Sequence, residues 1–170
     1  MPGIDPRNVF KNEGRLAGIP PWWRTFVFQV LNGRQLSVYL YLLTLMGEEG
    51  YCSPTTRQIA MDLGLMGATM VFDAMNVLES YGFLLRSRNT AVSDSGMRRN
   101  MYQRPSCEFT VLHLLRSKRI QPHMLTEDGA RELLGTRYQQ YALAPPAERT
   151  AVLAALLREK ISLQGEASPA

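Results

Sequence analysis

The sequence predicts a mainly helical fold that carries one small β-hairpin. Apolar residues recur every three or four positions in several segments, which places them on one side of a helix. Between residues 83 and 115, two apolar segments instead flank a polar stretch, the pattern of a hairpin. The 170-residue chain has 45% apolar and 20% charged residues, so it can bury a real core as one domain with extensions or as two small domains.

The chain starts with a predicted extended arm and a short strand. Residues 1–21 are rich in Pro and Gly and lack apolar periodicity, which is typical of an extended segment. The aromatic and β-branched residues at positions 22–30 favour a strand. Trp22 and Trp23 are interpreted as core anchors because an indole ring buries a large area, with stacking on a nucleic-acid base as the alternative.

A scaffold helix is predicted next, over residues 34–46. A turn at Asn32 and Gly33 precedes it, and residues 48–50 end it. Its apolar side chains fall on nearly all sides, which indicates a helix buried within the core. They are Leu36, Tyr39, Leu40, Leu42, Leu43 and Met46.

Two shorter helices joined by a tight turn follow. Thr55 and Gln58 fit a capping box at the start of the first helix. Gly64 ends that helix, since a left-handed cap suits glycine. After a turn at residues 65–67, the second helix shows spacings of three and four up to Gly82, where it stops. Its apolar series is Val71, Ala74, Met75, Leu78 and Tyr81.

The predicted hairpin comes directly after the second of these helices. Residues 83–88 favour a strand, residues 89–96 a polar turn, and residues 102–115 the returning strand. His113 would alternate with Phe109 on one face of that strand, so we interpret it as a packed side chain and not as a ligand.

Helices are predicted again in the last third, over residues 120–163. Thr126 begins one that runs to Gly135 and resumes to Tyr141, with carboxylates in its first turn that favour the helix dipole. Pro145 and Pro146 are placed in the first turn of the last helix, which tolerates proline. Residues 164–170 are interpreted as a frayed tail.

The last helix carries an apolar stripe that must be buried against something. The stripe comprises Val152, Leu153, Leu156, Leu157 and Ile161. Two interpretations are open: the stripe packs on the core of its own chain, or it forms a homodimer contact of the kind that matches a two-fold binding site.

Basic residues are concentrated in the hairpin and in the segment that leaves it. The whole chain has a net charge of +4 and a pI near 9.3. Residues 83–119 hold eight basic and two acidic residues, a local excess of six, whereas residues 55–81 hold one basic and three acidic residues. A field that attracts a polyanion therefore arises on the hairpin side.

The order of these parts resembles the winged helix-turn-helix domains of bacterial transcriptional regulators and of plasmid and phage replication initiators. The similarity lies in Ile59–Gly64, in the apolar series of the second helix, and in Gly82–Leu84. Arg98–Tyr102 is similar to the R-x-N-x-Y end of the wing in replication initiators, and residues 26–45 resemble the strand and first helix ahead of that core. The resemblance covers residues 20–115.

This resemblance implies a winged helix-turn-helix domain over residues 22–119 that binds double-stranded DNA, with a recognition helix at about 68–81 and a basic wing at about 86–104. Phosphates would be held by the start of the first motif helix and by the wing, and bases by the recognition helix. The candidate contacts are Thr55, Thr56, Arg57, Thr69, Asn76, Arg86, Arg88, Arg98, Arg99 and Arg104. Apart from the resemblance, Lys11, Arg15 and Arg7 in the arm are candidates to reach along the DNA backbone, because basic arms often enter an adjacent groove. The favoured alternative is a disordered or surface-packed terminus.

The recognition helix departs from the usual pattern, since residues 68–81 contain no Arg or Lys. Guanine is normally read by these two residue types. We therefore expect sequence-independent or weakly specific DNA binding by a regulator of transcription or a replication component.

An alternative function is a protein-interaction subunit of a larger complex that handles nucleic acid. Met66, Met70 and Phe72 are apolar at places where DNA readers carry polar or basic groups, and methionine-rich surfaces adapt well to protein partners.

The sequence does not predict an enzyme, a cofactor or a metal site. We find no phosphate-binding glycine loop, no nucleophile elbow and no zinc-type spacing of its two cysteines and two histidines. Two isolated thiols favour a reducing compartment, although a single disulfide is the alternative. Without an apolar run of membrane-spanning length, the expectation is a soluble cytoplasmic protein.

Overall fold

The computed structural model describes residues 20–47, 49–92, 96 and 98–166. This part of the chain is mainly helical and contains a small antiparallel sheet, as the sequence predicts. The predicted arm over residues 1–21 lies outside the described residues except for Pro20 and Pro21, and Pro21 already begins a helix.

Helix α1 spans Pro21–Val30, so the prediction of a strand over residues 22–30 is wrong. Its buried side chains are Trp22, Trp23, Phe26 and Val27, and this spacing puts them on one side of a helix. The aromatic and β-branched composition favoured a strand, but burial of this one-sided apolar face decides the outcome. Pro21 fits because its missing N–H would have had no partner in the first turn.

Helix α2, Gly33–Met46, begins with a reciprocal capping box. Asn32 Oδ1 accepts from Gln35 N at 3.0 Å, and Gln35 Oε1 accepts from Asn32 N at 3.1 Å. The helix is confirmed, and it is buried on the side of Val38, Tyr39 and Leu42.

Helices α3, Thr56–Asp62, and α4, Ala68–Ser80, are the two short helices that the sequence predicts. Both end at a glycine in the left-handed region, Gly64 at φ 65° and Gly82 at φ 79°. In each case the residue after the glycine donates its N–H to a carbonyl five residues earlier, which closes the helix end.

The sheet has the strand order β1–β3–β2 and is antiparallel throughout. Strand β1 is Tyr51–Cys52, β2 is Leu85–Val92 and β3 is Arg98–Gln103. The β2–β3 hairpin is confirmed, but β2 runs on to Val92 through the first half of the predicted turn. Its register shifts between Ser87 and Ala91, so extra residues of β2 lie opposite β3 there and form a bulge.

Helix α5, Cys107–Arg116, replaces the predicted returning strand over residues 102–115, which is wrong beyond residue 103. Ser106 caps it, accepting from Phe109 N at 3.2 Å. Its buried positions include Val111, Leu114 and Leu115, at helical spacings. His113 is packed, as predicted, but on a helix: its Nε2 donates to the Ser80 carbonyl at 2.7 Å.

The C-terminal third is helical, as predicted. Short 3₁₀ turns lie at Pro122–Met124 and Gly135–Arg137, and the α-helices are α6, Glu127–Leu134, α7, Tyr138–Ala142, and α8, Arg149–Glu166. Thr126 caps α6 through the Gly129 N–H at 3.0 Å. Because α8 begins only at Arg149, Pro145 and Pro146 lie in the turn before it and not in its first turn, which corrects that prediction.

The apolar stripe of α8 packs on the chain's own core. Leu153, Leu156 and Leu157 are buried, Val152 and Ile161 are half-buried, and α8 contacts α5, α6 and α7. Packing within the same chain therefore accounts for the apolar stripe of α8. A homodimer through the C-terminal helices stays a prediction, but this stripe no longer motivates it.

Both tryptophans are core anchors. Trp23 is 2% exposed and donates its Nε1–H to Tyr39 Oη at 3.0 Å. Trp22 donates to Glu132 Oε2 at 2.9 Å, and a Cβ at Gly129 of α6 would come within 2.7 Å of its ring. Helix α1 therefore joins the C-terminal helices to the rest of the core.

Candidate nucleic-acid interface

Helix α4 exposes the side that faces away from the core. Its opposite side is buried through Val71, Ala74, Met75 and Leu78. Thr69, Asp73 and Ser80 are exposed, and at about 100° per residue they fall on one side of the helix. Thr69, a predicted base contact, is therefore placed where a ligand could reach it.

Arg86 of β2 connects the hairpin to α4 through side-chain contacts. Its Nη2 donates to Asn76 Oδ1 at 2.9 Å and forms an ion pair with Glu79. The guanidinium also lies over the Phe72 ring, 5.7 Å from its centroid. The Arg86 side chain is only 5% exposed, so it links the hairpin to α4 at a position shielded from solvent.

Arg86 and Asn76 are engaged with each other and with Glu79, which disfavours both residues as DNA contacts. A guanidinium that is shielded from water needs its counter-charge and hydrogen-bond acceptor, and Glu79 and Asn76 supply them. The amide oxygen of Asn76 is thereby occupied as well. Sequence reasoning missed Glu79 because no local spacing encodes contact between a helix and a later strand.

The other hairpin arginines are placed differently from one another. Arg88 follows Arg86 at the start of the bulge and is exposed. Arg99 is half-buried, and its Nε is shielded from solvent without a hydrogen-bond partner among the described residues. The backbone of Arg98 pairs with that of Val92. For Arg98 the structure describes the backbone only.

Arg104 lies one residue beyond β3 and outside the hairpin pairing, which disfavours it as a wing contact. Its N–H donates to the Gly50 carbonyl at 3.2 Å, beyond the end of β3. Its side chain lines a cleft together with Trp22, Cys107 and Glu132. Arg104 therefore faces the junction of α1, α5 and α6.

The start of α3 shows one half of the predicted capping box. Thr55 Oγ1 accepts from Gln58 N at 3.1 Å, but the Gln58 side chain donates to Asp62 Oδ1 at 2.9 Å instead of returning to Thr55. Thr56 is half-buried and Arg57 is exposed. Thr55 is thus engaged in capping, and Arg57 offers the accessible charge.

Two of the three carboxylates in residues 55–81 have partners within the chain, but among the described residues only Glu79 is paired with a cation. Asp62 accepts from the Tyr41 hydroxyl and from Gln58, and these hydrogen bonds hold the pKa of its carboxyl below the usual range. Glu79 is paired with Arg86. Asp73 remains as an exposed carboxylate on the outer face of α4.

An apolar surface lies at the turn between α3 and α4. Met66 is 99% exposed, Met61 is 67% exposed and Phe72 is 47% exposed. Met70 is half-buried, and Phe72 is partly covered by Arg86. Of the three residues proposed for a protein partner, Met66 is the most accessible.

The two cysteines are free. Burial raises the pKa of the Cys52 thiol to about 11 and that of Cys107 to about 12. Both thiols stay protonated near neutral pH, so neither is an activated nucleophile.

Searches against protein-family models, curated proteins and solved structures find no match for this chain. Within the described residues, none of the helices combines the length and apolar character needed to cross a bilayer.

Proposed function

We propose that this chain is a cytoplasmic winged helix-turn-helix protein that binds double-stranded DNA, as a regulator of transcription or as a replication component. The element order supports the proposal: a helix, a short strand, two helices and a hairpin, with the first strand paired to the last. Helix α4 holds the position of the recognition helix and the β2–β3 hairpin that of the wing.

The observation that carries the proposal is the attachment of the hairpin to α4 through Arg86. It holds the hairpin, with the exposed Arg88, beside the exposed face of α4. A helix that enters the major groove would then be flanked by a cation near the phosphates, which is the arrangement that gives affinity.

The set of proposed DNA contacts is smaller than the set that the sequence predicts. Among the cations that the sequence predicts as DNA contacts, Arg57 and Arg88 are exposed, and Arg98 and Arg99 remain predicted wing contacts. Thr69 is the remaining base contact. Because α4 lacks basic residues and exposes Asp73, binding is expected to depend on phosphates more than on sequence.

A salt series tests the proposal. Fluorescence anisotropy with a random duplex of about 30 base pairs should give a log–log salt slope of at least roughly 3 to 4, since these four cations contribute about 0.9 each. Arg57→Gln combined with Arg88→Gln should lower the slope by about 2.

Arg158→Gln is the matched control, because Arg158 is an exposed cation on α8. It should leave the slope unchanged. Absence of binding at low salt would contradict DNA binding, and an unchanged slope in the Arg57 and Arg88 double variant would contradict the proposed contacts.

A protein-interaction subunit is the second candidate function, favoured by the full exposure of Met66. Met61→Ser with Met66→Ser should leave folding unchanged, because both side chains are largely exposed. If the chain serves as an interaction subunit, a protein that co-purifies with the wild type should be lost from this variant, and neither form should bind DNA at low salt. Intact DNA binding with no change in co-purifying proteins would contradict this candidate.

A further inference from the structure

The turn that ends α5 holds a lysine where helices usually have glycine. Lys118 has φ 56°, and it is the one non-glycine residue with positive φ in the described part of the chain. Its N–H donates to the Leu115 carbonyl at 3.1 Å, and the Arg119 N–H donates to the Leu114 carbonyl at 2.9 Å. The same two bonds close α3 and α4, where Gly64 and Gly82 occupy the corresponding position.

This lysine is sterically unfavourable, since the left-handed conformation brings its Cβ too close to the following carbonyl oxygen. Backbone strain of this kind is often retained where the side chain has a function. Lys118 is exposed, so packing does not account for it.

Lys118 belongs to a group of accessible cations. Arg116 and Arg119 are exposed beside it, and neither Arg116 nor Lys118 forms an ion pair with any described residue. The guanidinium of Arg119 lies 4.1 Å from the centroid of the Tyr81 ring, and its Nη1 donates to Tyr81 Oη at 3.0 Å. One cation of the group is therefore oriented in advance.

These cations lie on the other flank of α4 from the hairpin. The hairpin contacts α4 through Phe72, Asn76 and Glu79, which fall within about 60° of one another around the helix axis. Tyr81 lies about 200° further around the helix axis than Glu79, with the exposed Ser80 between them. The hydrogen bond from His113 to the Ser80 carbonyl holds α5 at this end of α4.

We propose that the Arg116–Arg119 turn is a second phosphate-binding surface for duplex DNA, separate from the hairpin. This inference rests on the proposed function of α4 and the hairpin. With α4 against the major groove, the hairpin cations reach the backbone on one side, and Arg116, Lys118 and Arg119 reach it on the other. Lysine supplies a point charge and arginine a bidentate donor, and both recognise phosphate.

Replacing Lys118 with Gly tests the proposal because it should change stability and binding in opposite directions. Glycine adopts the left-handed conformation without strain, so the midpoint of thermal unfolding should rise by about 2–4 °C. The loss of one phosphate contact should lower the salt slope of DNA binding by about 1. Arg116→Gln with Lys118→Gly should lower it by about 2.

The controls separate this proposal from the proposed function. Wild-type protein that fails to bind the random duplex at low salt overturns both. Wild-type binding with an unchanged slope in the Arg116 and Lys118 double variant overturns the second surface alone. If the double variant keeps DNA binding but loses binding to poly-glutamate, the turn recognises an acidic protein instead. Arg158→Gln again controls for the loss of one charge elsewhere.

Discussion

Replacing Leu157 with Ala is expected to lower the free energy of unfolding by about 2–4 kcal/mol. Leu157 is 0% exposed in the stripe of α8 that packs on α5, α6 and α7. Truncation removes apolar contacts and leaves a cavity that the surrounding helices close only in part.

The same experiment shows whether the C-terminal helices form part of one cooperative unit. Trp22 and Trp23 lie in α1, where Trp23 packs against Phe83 at the base of the hairpin with ring centroids 5.9 Å apart. Urea unfolding followed by tryptophan fluorescence and by far-UV circular dichroism should therefore give coincident transitions, both shifted by the substitution.

Leu163→Ala is the matched control on the same helix. Leu163 is 52% exposed, so its truncation should change stability by less than about 0.5 kcal/mol. Transitions that do not coincide between the two signals would contradict a shared core and would favour C-terminal helices that unfold independently.

Replacing Glu79 with Leu should destabilise the protein by about 2–3 kcal/mol. The Arg86 side chain is only 5% exposed. Loss of the Glu79 carboxylate leaves the Arg86 guanidinium with Asn76 as its hydrogen-bond acceptor and with no counter-charge among the described residues. Breaking a fully buried pair costs about 3–5 kcal/mol. The value expected here is smaller because the Glu79 side chain is 38% exposed and water screens the site.

A double-mutant cycle isolates the charge effect. Arg86→Met combined with Glu79→Leu should recover most of the lost stability, because no shielded charge remains and both new side chains are apolar. Thermal or urea unfolding of the four forms measures the coupling. Strictly additive effects of the two substitutions would show that the ion pair does not hold the hairpin to α4.

The Arg137–Glu159 pair provides a control ion pair. Its side chains are 31% and 56% exposed, so Glu159→Ala should cost no more than about 1 kcal/mol. The contrast between the two pairs would show that shielding of Arg86, and not the number of ion pairs, is responsible for the larger effect.

Helix ends could be predicted because the signals are local. A Thr or Asn side chain satisfies backbone donors two or three residues away, as Asn32, Thr55 and Thr126 do. Gly64 and Gly82 end their helices because the left-handed conformation suits glycine wherever the helix lies. These features depend on neighbouring residues alone.

The sequence predicts strands in two segments that are helices. Residues 22–30 are rich in aromatic and β-branched residues, whose preference for strands depends on context, and residues 107–115 are an apolar segment that follows a polar turn. Both segments have one apolar side at helical spacing, and burial of Trp23 and Val111 in the common core outweighs that preference.

Local patterns in the sequence predict the mainly helical class, the pair of short helices, the hairpin and the excess of basic residues in and after the hairpin. Which of these cations are accessible depends on contacts that form only in the folded chain. Arg86 is turned inward by Glu79 and Asn76, and Arg104 by the cleft near Cys107, whereas Arg88 and Lys118 remain exposed. The reason is physical: charge is a property of each residue, but its accessibility depends on partners that folding brings from distant parts of the chain.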